Sequence, residues 1–325
     1  MTENTVLPLI NTAFEPGNAR KAAESFADRD FREIAIAEFY YFTGQAQKCS
    51  DLVEIYIMSS RLELKLSACM LYVYSNLTLG NVKASGRGLE IIRECLRKEC
   101  ISPTSERNTA YCVFAGYMGT VLLHLSTEEL PDMKKYMSSL PQGLRIFAAN
   151  VISHDLYLKG EYSRALGICD AALFSCKEIY PVGMIYLYCV TAMCEISLKN
   201  QAEAEKAILT AWKLAEKELH GLLQGLLESC IRKENPEMYR KISDAVITFS
   251  RGWMAVHNPA SDNPVTDALT TMEFSIAMLA CRDWSNREIA EHIGVSLNTV
   301  KHYLTDIFNK LHVKKRDELK NFVLK

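Results

Sequence analysis

Ser285-Asn286-Arg287-Glu288-Ile289-Ala290-Glu291-His292-Ile293-Gly294-Val295-Ser296-Leu297-Asn298-Thr299-Val300-Lys301-His302-Tyr303-Leu304-Thr305-Asp306-Ile307-Phe308-Asn309-Lys310-Leu311 reads as two short helices joined by a tight turn. Ser285 with Glu288 three residues on is a capping box, which places the first helix from Asn286. Ile289, Ala290 and Ile293 give that helix one apolar face. Gly294 supplies a left-handed turn at low steric cost, and Ser296 caps a second helix. Val300, Leu304, Ile307, Phe308 and Leu311 step by three or four, so this second helix buries one side. Its other side shows Asn298, Thr299, Lys301, His302, Thr305 and Asn309. Donors and acceptors of that size on a single rod suit base edges and phosphates of a major groove.

Outward from this stretch, Leu269 to Val323 resembles the C-terminal DNA-binding domain of LuxR and FixJ type bacterial transcription regulators. The matching residues are Leu269-Thr270, Ser285-Asn286, Glu288-Ile289-Ala290, Val295-Ser296, Thr299-Val300-Lys301, Ile307, Lys310-Leu311, Val313 and Arg316. The resemblance implies four helices, with the third in the major groove of double-stranded DNA and the fourth supporting a dimer. It implies base contacts from Lys301, His302 and Thr305, and phosphate contacts nearer Ser296, Thr299, Lys310 and Arg316; Asn298 completes the set. Three positions depart from the family. Met272 precedes Glu273 where Arg-Glu is usual, Tyr303 stands where His is usual, and Thr305 where Lys is frequent. The charge of −2 over 325 residues makes any nucleic-acid contact local. Lys310, Lys314, Lys315 and Arg316 form such a local basic cluster, which also suits a helix C-terminus.

From about Asn18 to Val256, Leu, Ala, Ile, Tyr, Met and Cys recur at helical steps and strand-like alternation is scarce. Breaks at Gly44-Gln45, Gly80-Asn81, Gly160-Glu161 and Asn200-Gln201, with a further one expected at Ser126-Thr127-Glu128-Glu129, recur at roughly 40-residue spacing, as in stacked helical hairpins. Tyr157, Gly160, Tyr162, Ala165-Leu166 and Ala172-Leu173 are similar to a tetratricopeptide repeat; the other units are longer and degenerate. Val256 to Thr266, with Pro259 and Pro264 and no periodic apolar face, reads as a linker. The expected organisation is all-α: a tetratricopeptide-like hairpin array over 1–255, a linker over 256–267 and a four-helix LuxR-type helix-turn-helix over 268–325.

A hairpin array presents a concave surface suited to a small molecule, peptide or protein effector. Asn76, Asn108, His124, Asn150 and His154 are its candidate ligand contacts, each of a kind more often satisfied within a core or at a surface. The order of domains looks like the C-terminal half of the large maltose-activator type of regulators without their nucleotide-binding module.

Catalytic and cofactor signatures are lacking. No Gly-x-x-x-x-Gly-Lys-Ser/Thr, His-Glu-x-x-His, Cys-x-x-Cys or Gly-x-Ser-x-Gly occurs, so neither an enzyme, a cofactor nor a metal is expected. The eleven cysteines read mainly as small buried apolar residues, with Cys169 and Cys176 able to share a helix face. Met1 to Thr5 has no basic leader, and no run approaches about 18 apolar residues, so a cytoplasmic protein without a membrane span is expected. The leading reading is a sequence-specific transcription regulator, a homodimer at least on DNA, with RNA polymerase a possible partner. The alternative is an interaction scaffold whose helix-turn-helix docks a protein.

Overall fold

A computed structural model describes residues 5–79, 81–122, 130–215 and 285–322 apart from Gly294, together with Leu219, Leu269, Glu273, Ile276, Ala277 and Ala280. Among these residues every regular element is a helix, and the chain is all-α. The expected linker, the expected break at 126–129 and His124 lie outside the described residues.

The array begins with a short helix α1 (Ala19–Glu24), followed by α2 (Arg29–Phe42), α3 (Ala46–Val53), α4 (Leu62–Thr78), α5 (Val82–Ile101) and α6 (Glu106–Val121). A 3₁₀ helix over Met133–Ser139 precedes α7 (Gln142–Leu158), α8 (Tyr162–Phe174), α9 (Pro181–Ser197) and α10 (Gln201–Ala215). Consecutive helices pair as α2–α3, α4–α5, α7–α8 and α9–α10, while α2, α4, α6, α7 and α9 pack on one another in sequence. This second row is covered on several sides. Helix α4 accordingly buries Leu64 and every residue from Leu66 to Leu77, as a helix with no solvent face must. The outer helices bury one stripe each, with small residues at the seam: Cys49 on α3, Ala165 and Cys169 on α8, Ala204 and Ala211 on α10.

The third unit departs from the expected regularity. Instead of a long second helix, the 3₁₀ segment Met133–Ser139 packs back on α6. Pro131 and Pro141 bracket that segment, and proline lacks the N–H that a continuous helix would need.

One closure recurs at the hairpin turns. Gln45 N–H reaches Tyr40 O at 2.8 Å, Glu161 reaches Leu156 at 2.9 Å, Asn200 reaches Glu195 at 2.8 Å and Asn81 reaches Asn76 at 2.7 Å. These are the long bonds of the Schellman motif, which satisfy carbonyls that the helix end leaves over. Before Gln45 and before Glu161 the chain turns left-handed, at φ +80° for Gly44 and +76° for Gly160. In the last hairpin that place is held by Lys199 at φ +65°, where a side chain costs energy. Lys199→Gly is therefore expected to stabilise the array by about 0.5–1 kcal/mol. Thermal melting of the two proteins, with Lys159→Gly as an ordinary αR control that should be destabilised, measures it.

Residues 5–14 form no helix or strand, yet Val6, Leu7, Leu9 and Ile10 are at most 2% exposed. Their amides are taken by the array. Leu7 N–H donates to Ser67 Oγ at 2.9 Å, and Leu9 and Ile10 donate to the two carboxylate oxygens of Glu38 at 2.8 and 3.0 Å. Further along, Gly143 N–H donates to Asn11 Oδ1 at 3.0 Å and Phe14 N–H to Ile179 O at 3.0 Å. A Cβ on Gly143 would stand 2.5 Å from Asn11 Cα, so glycine is what lets this strap lie against α7.

Candidate nucleic-acid interface

Helix α11 (Asn286–Ile293) and helix α12 (Leu297–Leu311) pack together and are followed by a 3₁₀ helix, Arg316–Phe322, where the sequence pattern leads to a fourth α-helix. The capping box forms as expected: Ser285 N–H donates to Glu288 Oε2 at 2.7 Å, and Glu288 N–H to Ser285 Oγ at 3.3 Å. That pairing holds the Glu288 carboxyl below its ordinary range, the Ser285 hydroxyl being the largest cause. Ser296 caps α12 by accepting from Thr299 N–H at 3.1 Å. Val295 N–H bonds Ala290 O at 3.0 Å, and Val313 N–H bonds Phe308 O at 3.0 Å beyond His312 at φ +54°, the same long bond that closes the array's hairpins.

Helix α12 buries Val300, Leu304, Ile307 and Leu311. Its opposite side leaves Asn298, Lys301, His302, Thr305 and Asn309 exposed, with Thr299 half-buried at the start of the row. Residues at steps of three and four fall along one line of the helix, so six polar side chains share one stripe about three turns long. Thr305 donates its hydroxyl to Lys301 O at 3.0 Å, which leaves the hydroxyl's acceptor lone pairs facing outward. Ser296 and Thr299 hydroxyls meet at 2.7 Å and cap the helix from its first turn. Sequence reasoning passed over Asp306, which stands exposed beside this stripe, four residues after His302. Its charge opposes a phosphate approaching from that side and narrows the line along which a duplex can lie.

Lys310 and Arg316 tie parts of the unit together. Lys310 Nζ lies 2.8 and 2.7 Å from the oxygens of Glu273, whose side chain is nearly buried. Arg316 donates from Nε to Ala280 O at 3.2 Å and from Nη1 to Asn286 Oδ1 at 2.7 Å, fastening the segment after α12 to the start of α11. Both side chains make contacts within the unit, while that of Lys310 stays 39% exposed. Lys314 and Lys315 are exposed beyond α12 and supply positive charge there.

The described candidate ligand residues of the array lie on three helices, α4, α6 and α7. Asn76 organises its own turn: Nδ2 donates to Ser50 Oγ and to Tyr72 O, each at 2.9 Å, and Oδ1 accepts from Asn81 at 3.2 Å. Asn108 donates to Thr104 Oγ1 at 2.8 Å within the cap of α6. Asn150 and His154 stand one turn apart on α7. His154 is half-buried with its ring 6.2 Å from Tyr157, and Asn150 is 1% exposed with no hydrogen-bond partner for its amide. Among the described residues no group of three His, Cys, Asp or Glu side chains is placed to hold a metal. Burial raises the thiols of Cys169 and Cys176 above their ordinary value, which disfavours the reactive thiolate. No described helix is long and apolar enough to cross a membrane.

Residues 267–323 match the family of bacterial regulatory proteins described as the luxR family. A curated relative, the probable transcriptional regulatory protein SgaR of Hyphomicrobium methylovorum, is 28% identical over 88 residues; the match covers 26% of this chain and 40% of that protein. No solved structure matches the chain. The helix-turn-helix of α11 and α12 thus lies within the segment that matches the luxR family.

Proposed function

We propose that the protein is a sequence-specific, DNA-binding transcription regulator, with residues 268–325 reading double-stranded DNA and residues 1–255 acting as a tetratricopeptide-like sensing array joined through 256–267. The observation that carries this reading is the exposed stripe on α12 inside a segment that matches the luxR family. In it Lys301, His302 and Thr305 contact bases, Asn298 and Thr299 flank them, and Ser296 offers a contact to phosphate at the helix N-terminus. Lys310 and Arg316 act chiefly through the fold, holding α12 against Glu273 and α11, with Lys314 and Lys315 nearer phosphates. The protein binds as a homodimer to two half-sites, and an effector on the array shifts the placement of the two reading heads. Only an effector with different affinity for the two placements can do so.

Sequencing of genomic fragments retained by the purified protein tests this, beside Lys301→Ala and His302→Ala variants at near-physiological salt. Each substitution is expected to weaken the recovered motif by about 1–3 kcal/mol, roughly 5- to 150-fold, and to relax preference at one base position. A uniform loss across all sequences would move Lys301 from base to phosphate. Recovery of no motif, with or without cell extract, would replace DNA by a docked protein as the partner of α12.

A further inference from the structure

The strap over residues 5–14 touches the whole inner row of the array. It meets Glu38 on α2, Ser67 on α4, Tyr111 on α6 through Thr5, Gly143 on α7, and Ile179 just before α9. The helices of that row pack on one another directly, so their pairing does not run through the strap. What the strap contributes is short apolar side chains and a set of backbone groups. The array answers with side-chain acceptors, Ser67 Oγ and the Glu38 carboxyl, aimed at main-chain amides, which is how proteins hold a peptide rather than how helices pack.

Glu38 is the clearest case. Its carboxyl is 0% exposed and carries no ion pair among the described residues; its two oxygens instead accept two successive amides of the strap. Nothing in the packing of α2 requires a carboxyl there, and a leucine would fill the space at no desolvation cost. Leu7 adopts φ +47°, a left-handed backbone unfavourable to a leucine, so the strap takes its shape from the groove. Where it leaves, an open cleft of about 590 Å3 lies between it and α1, bounded by Thr12, Phe14, Lys21, Phe26 and Tyr180.

We propose that the inner row is a peptide-receptor groove held in a self-occupied state by residues 5–14, and that its partner is a protein segment of the same chemistry: short, apolar, with two adjacent free amides for Glu38. Binding of that segment displaces the strap. The proposal rests on the reading of the array as the sensing half, and its test uses no DNA, so its failure leaves the DNA reading standing.

The exposed turn Glu15–Asn18 offers the place to cut, since a Cβ on Gly17 would meet nothing within 4 Å. A protease site replacing residues 15–18 in the full chain allows folding with the strap in place, followed by cleavage. A fluorescent decapeptide with the sequence of residues 5–14 is then added, and anisotropy and helical circular dichroism are followed. The expected result is saturable exchange of the decapeptide with helicity retained. Binding should weaken at least about tenfold when Leu9 and Ile10 of the peptide are N-methylated, and likewise on Glu38→Ala in the array. A cut protein that loses its helical signal as the fragment leaves makes the strap ordinary core and overturns the proposal. So does one that never exchanges, or one that takes a scrambled decapeptide equally well.

Discussion

Between pH 5 and pH 8 the array is expected to lose about 3 kcal/mol of stability through Glu38 alone, and Glu38→Gln to remove that part of the slope. Burial raises the Glu38 carboxyl to about 8, against two strap amides that pull it down. A carboxyl that titrates near 4.5 when unfolded and near 8 when folded keeps its proton in the folded state over most of this window and is about half ionised at its upper end. The folded state binds the extra proton, so stability is fullest below the unfolded value and falls as pH rises through the folded one. Glutamine retains one carbonyl acceptor and places an amide nitrogen where the second acceptor stood. The variant should therefore be less stable than the parent at pH 5 by about 1–2 kcal/mol and comparable or better near pH 8. Urea unfolding of both proteins at the two pH values, followed at a helical wavelength, measures the crossing. Parallel slopes would show that Glu38 is hydrated rather than buried.

Ile307→Ala is the second large expectation. Ile307 is fully buried on α12, in a unit whose other described core residues include Ile289, Val300, Leu304, Leu311 and Leu319. Removing three carbons there should cost about 2–5 kcal/mol, a large share of the margin of so small a unit. Loss of DNA binding should accompany loss of the helical signal of this unit, in contrast to Lys301→Ala, which should lose binding with the fold intact. Proteolysis of the C-terminal segment in the two variants, set beside their DNA affinities, separates the cases. If Ile307→Ala binds DNA normally, the described packing under α12 is not what holds it in shape.

Local chemistry explains which features could be read from the chain alone. The ends of α11 and α12 follow from Ser285, Glu288 and Ser296, whose partners are three residues away, and the stripe from Asn298 to Thr305 needs only the pitch of a helix. The hairpin turns at Gly44 and Gly160 declare themselves through glycine. The turn before Asn200 is visible as a break in periodicity, although the left-handed residue is Lys199 and carries no sign of it. Engagement of Lys310 and Arg316 was not legible, since their partners Glu273 and Ala280 lie 37 and 36 residues off and a basic residue looks the same in the sequence whether or not it is paired. The strap was invisible for the same reason. Residues 5–14 have no period of their own, and what holds them, Glu38 and Gly143, stands up to 132 residues away. The 3₁₀ segment between Pro131 and Pro141 was also missed, because an even repeat spacing predicts a full hairpin there.

That separation sets an order of events during synthesis. Asn11 and the carbonyl of Ile10 lie against Gly143, which is synthesised 132 residues after Asn11. At about 5–20 residues per second, the apolar strap waits on the order of ten to thirty seconds while the hairpins behind it close one after another. For that interval the nascent chain presents an unsheltered Val-Leu-Pro-Leu-Ile sequence beside a half-built groove, an attractive target for holding chaperones and a vulnerable one for proteases. A synonymous recoding that slows translation between codons 15 and 143 should lengthen this exposure and lower the yield of folded protein without altering one amino acid.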